Sequence, residues 1–291
     1  MSPLIKYMAS HYIPSRVYLH MFYRWRFGKW AHLRRPATLN EKLHWKKLHG
    51  YLPFHTTITD KYAARDWVAR RVGEHVLIPL LAVFERVDDL DLARLPDACV
   101  IKTTHGSGQN VIIREKHMVK EQELKTLLRK WLKQNMYYLS REPQYRQIQP
   151  RLIVEQLITD ADGNIPMDFK FHCFHGRVEA IQVDIDRFSN HRRNFYDVQW
   201  RLLPFTWSAR DKAGPMWPNG RAVERPAQLH EMIAVAETLA QEFDYIRVDL
   251  YHCPEKVYFG ELTLPHGGGW ERFDPPSYDL FFGEKLHLRT T

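Results

Sequence analysis

Two long stretches of the chain repeat apolar residues every three or four positions, which is the spacing of a helix with one buried face. In residues 119–139 the pattern is carried mainly by leucines. In residues 225–243 it is carried by leucine, methionine, isoleucine and alanine. Each stretch is therefore predicted as one long helix.

Residues 38–73 predict two shorter helices. Thr38 or Asn40 would cap the first, Thr59 or Asp60 would cap the second, and a glycine follows each. The first part of the chain is accordingly expected to be a helical region.

Elsewhere apolar and polar residues alternate, as they do in half-buried strands. Polar or glycine-containing turns interrupt these segments, which predicts antiparallel hairpins. The segments are residues 77–84, 98–116, 151–158, 167–187 and 245–264. Together with the helices they predict an α+β fold, mostly antiparallel sheet with flanking helices.

With 291 residues, of which 44% are hydrophobic, the chain is long enough to bury a sizeable core. Its longest apolar run, residues 76–84, is interrupted by Pro79 and is too short to cross a bilayer. The first residues lack the pattern of a secretory signal, so a cytoplasmic protein is expected. Cys99, Cys173 and Cys253 are odd in number and lack CxxC spacing, and we expect them to be reduced and buried.

The formal charge of +8 is concentrated at the N-terminus, where residues 1–50 carry ten Lys or Arg and one acid, Glu41. No nucleic-acid-binding module accompanies this charge, so nucleic acid is not an expected partner. Drawn as a helix, residues 15–30 separate apolar from basic side chains. One interpretation is a helix packed on its own domain with a solvated outer face; the others are a membrane-surface anchor and a dock for an anionic polymer. The apolar arc holds Val17, Tyr18, Met21, Phe22 and Trp25, and the basic arc holds Arg16, His20 and Arg24.

The first candidate functional residues lie in the predicted hairpin of residues 98–116. Alternation places Lys102 on one face of the first strand, just ahead of the loop "HGSGQN". Gly106 and Gly108 allow backbone N–H groups to turn toward an anion, so the loop suits a phosphate chain. Both glycines lie between strands, so neither a P-loop nor a dinucleotide-binding turn is completed. A tight hairpin with an exposed lysine is the alternative.

A second hairpin, residues 245–264, carries acids. Arg247 and Asp249 share a face of its first strand, and Glu261 shares a face of its second strand with Thr263. Paired across the turn, Asp249 and Glu261 would converge and would repel each other unless a cation lay between them. Two carboxylates with phosphate oxygens and water suit Mg²⁺, whereas separate salt bridges are the alternative.

Two strands between these hairpins offer further polar groups. In "LIVEQLI", Glu155 and the backbone as far as Leu157 would read an adenine edge. In "MDFKF", Lys170 would be a second cation for phosphates. Taken alone, either segment is an ordinary strand.

In this order, the strand lysine, the glycine loop, the glutamate strand, the second lysine and the acidic hairpin resemble the ATP-grasp superfamily. Longer segments are similar to the TupA-like ATP-grasp family, which is named for a teichuronopeptide-biosynthesis protein and is found among genes for cell-envelope polysaccharides. The similarity runs from about residue 38 to residue 286. Its segments are "LNEKLHWKKLHG", "TDKYAARDWVARRVGEHVLIPLLAVFE", "VIKTTHGSGQNVI", "MDFKFHCFHGRVEAIQVDIDR" and "VDLYHCPEKVYFGELTLPHGGG".

The resemblance implies an ATP-grasp fold, in which two antiparallel-sheet subdomains clamp ATP, with an N-terminal helical region before them. Residues 1–95 would be the basic helical region that precedes the ATP-grasp part. Residues 96–157 would be the small subdomain with the glycine-rich loop, and residues 158–291 the large subdomain with the metal and acceptor sites.

It also implies the cofactors ATP and Mg²⁺ and a set of site residues. The implied ATP-binding residues are Lys102, His105, Gly106, Ser107, Gly108, Asn110, Glu155, Gln156, Leu157 and Lys170. The implied metal ligands are Asp249, Glu261 and Thr263, the last standing where many ATP-grasp enzymes have asparagine, which leaves the number of Mg²⁺ ions open. Since arginine grips planar oxyanions through paired N–H groups, the catalytic candidates are Arg187, Arg193 and Arg247.

The implied activity is carboxylate–amine ligation. The γ-phosphoryl group of ATP passes to a carboxylate, and an amine then attacks the acyl phosphate to form an amide. In the setting of the cell envelope, the acid would be a saccharide containing uronic acid, or an amino acid. The enzyme would act in the cytoplasm, with a peripheral contact between its basic N-terminus and the inner face of the membrane.

Three other functions compete with ligation. Asp184-Ile185-Asp186 has the DxD pattern with which glycosyltransferases hold a metal and a nucleotide sugar. A kinase would use the same ATP site to phosphorylate a hydroxyl, and a non-catalytic binding module would use the basic N-terminus alone. Residues 266–270, "HGGGW", are interpreted as a flexible loop near the acceptor, with a plain turn as the alternative.

Overall fold

The computed structural model describes residues 11–185, 190–208, 219–253 and 256–288. The chain forms two compact units. We call Leu52–Pro166 the middle unit, and Met1–Tyr51 together with Met167–Thr291 the terminal unit. The predicted α+β class is confirmed by the helices and antiparallel sheets of both units. The segments 1–95, 96–157 and 158–291 divide the chain at other points, and their roles as subdomains stay a prediction.

The elements of the described residues are numbered in chain order. The helices are α1 (Ser15–Phe27), α2 (Leu39–His49), α3 (Phe54–Thr59), α4 (Ala63–Val72), α5 (Glu121–Leu132), α6 (Met136–Ser140), α7 (Leu229–Ala240) and α8 (Ser277–Lys285). The strands are β1 (Leu80–Phe84), β2 (Cys99–Thr103), β3 (Asn110–Ile113), β4 (Leu152–Gln156), β5 (Asp168–Phe174), β6 (Arg177–Ile185), β7 (Arg192–Tyr196), β8 (Thr206–Ser208), β9 (Tyr245–Cys253), β10 (Lys256–Thr263) and β11 (Arg272–Asp274).

The middle unit is built on an antiparallel sheet of four strands in the order β1-β4-β2-β3. Alternation along β2 turns Cys99 and Ile101 into the core and leaves Lys102 on the other face. Leu124 and Leu128 of α5 pack into the same core. Lys102 therefore stands on the face of this sheet that the core does not occupy.

Two helices of the middle unit differ from the prediction. The single helix expected over residues 119–139 is instead α5 and α6, because the Asn135 side chain accepts a hydrogen bond from the backbone N–H of Tyr137 and starts a new helix there. Before α4, the Asp60 carboxylate accepts from the N–H groups of Tyr62 and Ala63, in keeping with the cap predicted at Asp60. The helix itself begins only at Ala63, and a short helix that was not predicted, α3, precedes it.

The terminal unit contains an antiparallel sheet of five strands in the order β10-β9-β5-β6-β7. The β5–β6 hairpin turns at His175 and Gly176, which have φ of 49° and 80°, as a turn with left-handed residues requires. The apolar face of this sheet packs on α7, through residues such as Met232 and Ala236. The other face is polar along much of its area.

Helices α1 and α2 belong to the terminal unit. Thr38 caps α2 as predicted: its hydroxyl accepts from the N–H of Glu41, whose carboxylate accepts from the N–H of Thr38. Helix α1 ends at Gly28, which has a φ of 76°. It is buried through Leu19 and Tyr23, and these are not the residues of the predicted apolar arc.

Cys99, Cys173 and Cys253 are free and buried, as predicted. Within the described ranges, no helix has both the length and the apolar character that crossing a membrane requires.

Candidate active site

The polar face of the terminal unit's sheet collects charged side chains from all five strands. Cross-strand register places Lys170 of β5 opposite Asp249 of β9, and Asp249 opposite Glu261 of β10. On the other side of β5, Asp184 of β6 lies opposite Arg193 of β7. The predicted second lysine and acidic pair are thus cross-strand neighbours in one row.

Arg247 holds the acidic pair together. Its Nε and one terminal nitrogen donate to the two carboxylate oxygens of Asp249, each at 2.6 Å. The same terminal nitrogen lies 3.1 Å from Oε1 of Glu261, and Thr263 donates to that oxygen at 3.4 Å. The three predicted metal ligands are therefore brought together, with an arginine between the two acids.

The charges in this group alter each other's protonation. Burial and the Glu261 carboxylate raise the pKa of Asp249 to about 6, against the opposing effect of Arg247 and Lys170. Burial alone would lower the pKa of Arg247, but the Asp249 and Glu261 carboxylates outweigh it and raise that pKa. Arg247 is therefore charged, and a second cation beside Asp249 would favour the ionised carboxylate.

Lys170 and Asp184 form the centre of a second group. The Lys170 ammonium pairs with Asp168 and lies 3.2 Å from Asp184, which is also held by Nε of Arg193 at 2.7 Å. Although burial opposes its charge, the Arg193 guanidinium and other partners lower the pKa of Asp184 well below its usual range. Lys170 and Arg193, both predicted site residues, are thus joined through Asp184.

His266 and Glu271 connect these two groups, and the sequence did not single them out as site residues. His266 contacts Arg247 through Nδ1 at 2.8 Å and Glu271 through Nε2 at 2.8 Å. Glu271 also accepts from Arg193 at 2.8 Å. The segment "HGGGW" was the available signal, but its reading as a flexible loop does not account for the buried His266 at its start.

In the middle unit, Lys102 lies on β2 opposite Ile153 and points to Glu155 of β4. The Lys102 ammonium is 2.6 Å from one oxygen of Glu155, and Arg65 of α4 is 2.9 Å from the other. Arg65 was not predicted. Glu155 is thus engaged by two cations, while the backbone N–H of the neighbouring Gln156 donates to Pro79.

The loop after β2 is anchored at both ends and exposed in its middle. The carbonyl of Gly106 accepts from Lys61 at 2.6 Å, and a Cβ at Gly106 would lie 2.0 Å from the side chain of Gln109. Ser107 and Gly108 are exposed, as is Asn110.

Of the remaining ATP-binding candidates, His105 is buried, with its ring 3.3 Å from the carbonyl of Trp131. Gln156 is exposed, and Leu157 is half-buried.

Two predicted residues lie outside the described ranges, Arg187 among the catalytic candidates and Asp186 of the DxD pattern. In the parts of the chain that are described, no cluster of three or more His, Cys, Asp or Glu side chains is arranged to hold a metal ion by itself. Asp249 and Glu261 would therefore supply only part of a coordination shell.

The family model for TupA-like ATP-grasp proteins matches residues 41–287. The chain belongs to the TupA-like ATP-grasp family. This confirms the resemblance stated from the sequence and the ATP-grasp fold class. No curated protein matches the chain.

Several solved structures are similar to this TupA-like protein at low identity. A D-alanine–D-alanine ligase from Bacillus anthracis complexed with ATP is 15% identical, with a TM-score of 0.40, over 72% of this chain and 54% of the other. An L-amino acid ligase from Bacillus licheniformis is 15% identical, with a TM-score of 0.42, over 79% and 47% of the two chains. The ATP-grasp ligase PsnB, complexed with a precursor variant, Mg and ADP, is 10% identical, with a TM-score of 0.40, over 78% and 58%. The TupA-like chain thus matches about half the length of these proteins.

Proposed function

We propose that this protein is an ATP-dependent carboxylate–amine ligase. The observation that carries the proposal is the row Lys170, Asp249 and Glu261 on adjacent strands, with Arg247 bound to both acids, in a chain of the ATP-grasp family. A lysine, an arginine and paired carboxylates are the groups needed to hold a phosphate chain with its divalent ion.

The polar face of the terminal unit fits a divalent cation. Carboxylate oxygens are the ligands that Mg²⁺ prefers, and Asp249 and Glu261 present them on neighbouring strands. The described residues of this face also carry a surplus of two negative charges when all are ionised. The acids are Asp168, Asp184, Asp249, Glu261 and Glu271, and the cations are Lys170, Arg193 and Arg247.

Asp249 and Glu261 would hold Mg²⁺, with Thr263 beside them. When bound, the ion would neutralise charge on the phosphate oxygens. Lys170 would contribute a fixed ammonium next to Asp249. The burial of Lys170, Arg247 and Asp249 keeps water from these side chains and strengthens the electrostatic contacts that they make.

The middle unit fits the phosphate chain of ATP at Lys102. Because Arg65 is also bound to Glu155, the Lys102 ammonium can exchange Glu155 for a phosphate as its ionic partner. The buried carboxylate of Glu155 would then still be paired. The exposed Ser107 and Gly108 would offer backbone N–H groups to the same anion. Glu155 would then orient Lys102, and the adenine edge would be read by the backbone at Gln156 and Leu157.

Arg247 and Arg193 are proposed to act on the acid. Of the five N–H groups of Arg247, four are used by Asp249, Glu261 and His266, so one remains for an oxyanion. In the first step a carboxylate oxygen attacks the γ-phosphorus and the bond to ADP breaks. In the second, the amine nitrogen attacks the acyl carbon, inorganic phosphate leaves, and the nitrogen loses a proton. The protein supplies positions and charge, and no nucleophilic side chain is required.

We further propose that the reaction belongs to cell-envelope polysaccharide biosynthesis or modification in the cytoplasm, as the resemblance to the TupA-like family implies. A saccharide containing uronic acid, or an amino acid, would supply the carboxylate. A glycosyltransferase is less well supported, because the described half of its motif, Asp184, is buried and paired with Arg193 and Lys170. A kinase would share the ATP site and differ in its product.

A peripheral contact with the membrane is part of this proposal. Helix α1 packs on its own unit through Leu19 and Tyr23, yet Val17, Met21 and Trp25 remain 47%, 56% and 65% exposed, one helical turn apart. With ten Lys or Arg in residues 1–50, this stripe is complementary to an anionic phospholipid surface, where tryptophan and basic side chains favour the interface.

The function is tested by measuring ADP release across panels of carboxylates and amines, with the product identified by mass. Ligation predicts ADP release that requires both an acid and an amine, and a product lighter than their sum by one water. Lys102→Ala and Glu261→Ala should abolish it, while Lys120→Ala, which removes an exposed lysine, should not. ADP release with a phosphorylated product and no amine would show a kinase instead. Wild-type rates in both site variants would overturn the assignment of the site.

A further inference from the structure

A chain of buried hydrogen bonds runs from Arg193 to Arg247 through two residues of one loop. Arg193 donates to Glu271 at 2.8 Å, Glu271 contacts Nε2 of His266 at 2.8 Å, and Nδ1 of His266 contacts Arg247 at 2.8 Å. All four side chains are buried. Both catalytic candidates within the described residues are therefore attached to the same loop.

The direction of each bond follows from the charges. His266 and Arg193 lower the pKa of Glu271 to about 2 although burial opposes this, so the Glu271 carboxylate is an acceptor. Nε2 of His266 must then carry the proton. Nδ1 is left with its lone pair, which is the group that an arginine N–H requires. Burial lowers the pKa of His266 to about 4, so the ring is neutral near pH 7.

The loop itself is held from behind by helix α2. Asn40, His44 and Lys47, spaced by four and three residues, lie on one face of that helix. Asn40 donates to the carbonyl of Glu271 at 3.0 Å, His44 to that of Gly269 at 2.9 Å, and Lys47 to that of Gly268 at 2.5 Å. Three side chains of α2 therefore anchor the backbone of this loop.

The backbone of this loop admits only glycine at its first bend. Gly267, Gly268 and Gly269 have φ of 53°, 60° and 72°, a left-handed turn that side chains disfavour. At Gly267 a Cβ would lie 2.4 Å from Cγ of Glu271, so the close approach of Glu271 to His266 depends on this glycine.

We propose that His266 is a positioning residue for Arg247, and that the α2-backed loop of residues 266–271 sets the orientation of the Arg247 guanidinium for the acid substrate. The proposal rests on the proposed function, in which Arg247 contacts that acid. His266 acts as a hydrogen-bond acceptor, and Glu271 fixes the tautomer that makes it one.

Two substitutions of His266 distinguish the role of Nδ1 from that of Nε2. His266→Asn retains an oxygen near the position of Nδ1 and so keeps an acceptor for Arg247. His266→Gln retains an amide N–H near the position of Nε2 and so keeps the donor to Glu271. The positioning role predicts a kcat lower in His266→Gln than in His266→Asn by about 10-fold or more, since a buried N–H of Arg247 loses its acceptor. The KM for ATP should change little in either variant. Equal kcat values in the two variants, or a loss confined to the KM for ATP, would overturn the proposal.

A spectroscopic measurement does not depend on activity or on the variants folding. In the ¹⁵N-labelled wild-type protein at pH 7, the imidazole of His266 should show the neutral tautomer with the proton on Nε2. A proton on Nδ1 would refute the proposal whatever the kinetics show. If no acid and amine pair yields ADP while this tautomer is found, the proposed reaction fails and the bonding of Arg247 stands.

Discussion

Asp249 lies directly opposite Glu261 across the β9–β10 ladder, and one terminal nitrogen of Arg247 donates to both carboxylates. Two acids and one arginine together carry one net negative charge, and the Glu261 side chain is partly exposed. The pair is thus partly neutralised by the protein and would be completed by an added cation.

Glu261→Gln should weaken the binding of Mg²⁺ more than it lowers the stability of the protein. The substitution removes one charged ligand, so the Mg²⁺ concentration for half-maximal ADP release should rise about 10-fold or more. The melting temperature should change little, because the lost contact with Arg247 is partly exposed and the repulsion from Asp249 is relieved. Metal titrations of ADP release and thermal melts measure the two effects. Glu123→Gln, at an exposed glutamate, is the control. An unchanged Mg²⁺ dependence in Glu261→Gln would contradict the metal assignment.

Gly267→Ala should destabilise the protein by more than Gly28→Ala. Both glycines have positive φ, at 53° and 76°, so both substitutions cost about 1–2 kcal/mol in backbone strain. Only at Gly267 does the new Cβ meet a neighbour, Glu271, whereas nothing lies within 4 Å at Gly28. Urea unfolding should therefore show an additional loss of about 1–3 kcal/mol for Gly267→Ala. Equal losses at the two positions would mean that the loop does not require the close approach.

Acid should destabilise the protein partly through His44. Burial holds the pKa of this histidine well below its ordinary value of 6.5, so the unfolded chain binds a proton that the folded chain does not. Because the unfolded state takes up this proton, the free energy of unfolding falls as the pH drops below 6.5. The loss due to His44 is at most about 1.4 kcal/mol per pH unit.

His44→Phe isolates this effect, since the ring that packs against Trp270 is kept and the titrating group is removed. Urea unfolding between pH 7.5 and 5 should give a shallower loss of stability in the variant than in the wild type. Parallel curves would show that His44 is protonated in the folded state or titrates normally.

Met21→Ser and Trp25→Ser should each weaken binding to anionic vesicles. Both residues are more than half exposed on α1, and replacing either removes apolar surface that would enter the bilayer interface. Sedimentation with vesicles of phosphatidylglycerol and phosphatidylcholine measures the bound fraction, which should fall further as salt is raised.

Met118→Ser, at a methionine 72% exposed in the other unit, is the control and should bind like the wild type. Wild-type protein that stays in the supernatant, or that self-associates through this helix in sedimentation equilibrium, would refute the membrane contact.

The sequence predicted that Asp249 and Glu261 would converge, because strand alternation and hairpin pairing are local. Spacing alone would place Gly260 opposite Asp249, and a shift of register between Phe259 and Glu261, which the sequence did not predict, brings Glu261 opposite Asp249 instead. The position of Lys170 beside Asp249 depends on the pairing of β5 with β9, which the sequence did not predict.

Contacts between segments that are distant in the sequence could not be predicted from strand alternation and hairpin pairing. Arg65 and Glu155 are 90 residues apart and meet only because α4 lies beside β4. Likewise, nothing in the spacing of "HGGGW" indicates that His266 would contact Arg247, which lies 19 residues earlier on another strand. The break between α5 and α6 was missed for another reason, since the capping bond of Asn135 competes with a continuous leucine pattern.

Helix α2, near the start of the chain, supports the loop of residues 266–271 at the proposed site. The family match starts at residue 41, so a shortened protein made to that boundary would lack Asn40 and the Thr38 cap. It would retain every proposed ligand of ATP and Mg²⁺, yet the carbonyl of Glu271 would lose its donor and α2 would start without its capping box. Deletion mapping that measures nucleotide binding alone would therefore set the N-terminal boundary of the active enzyme too far along the chain.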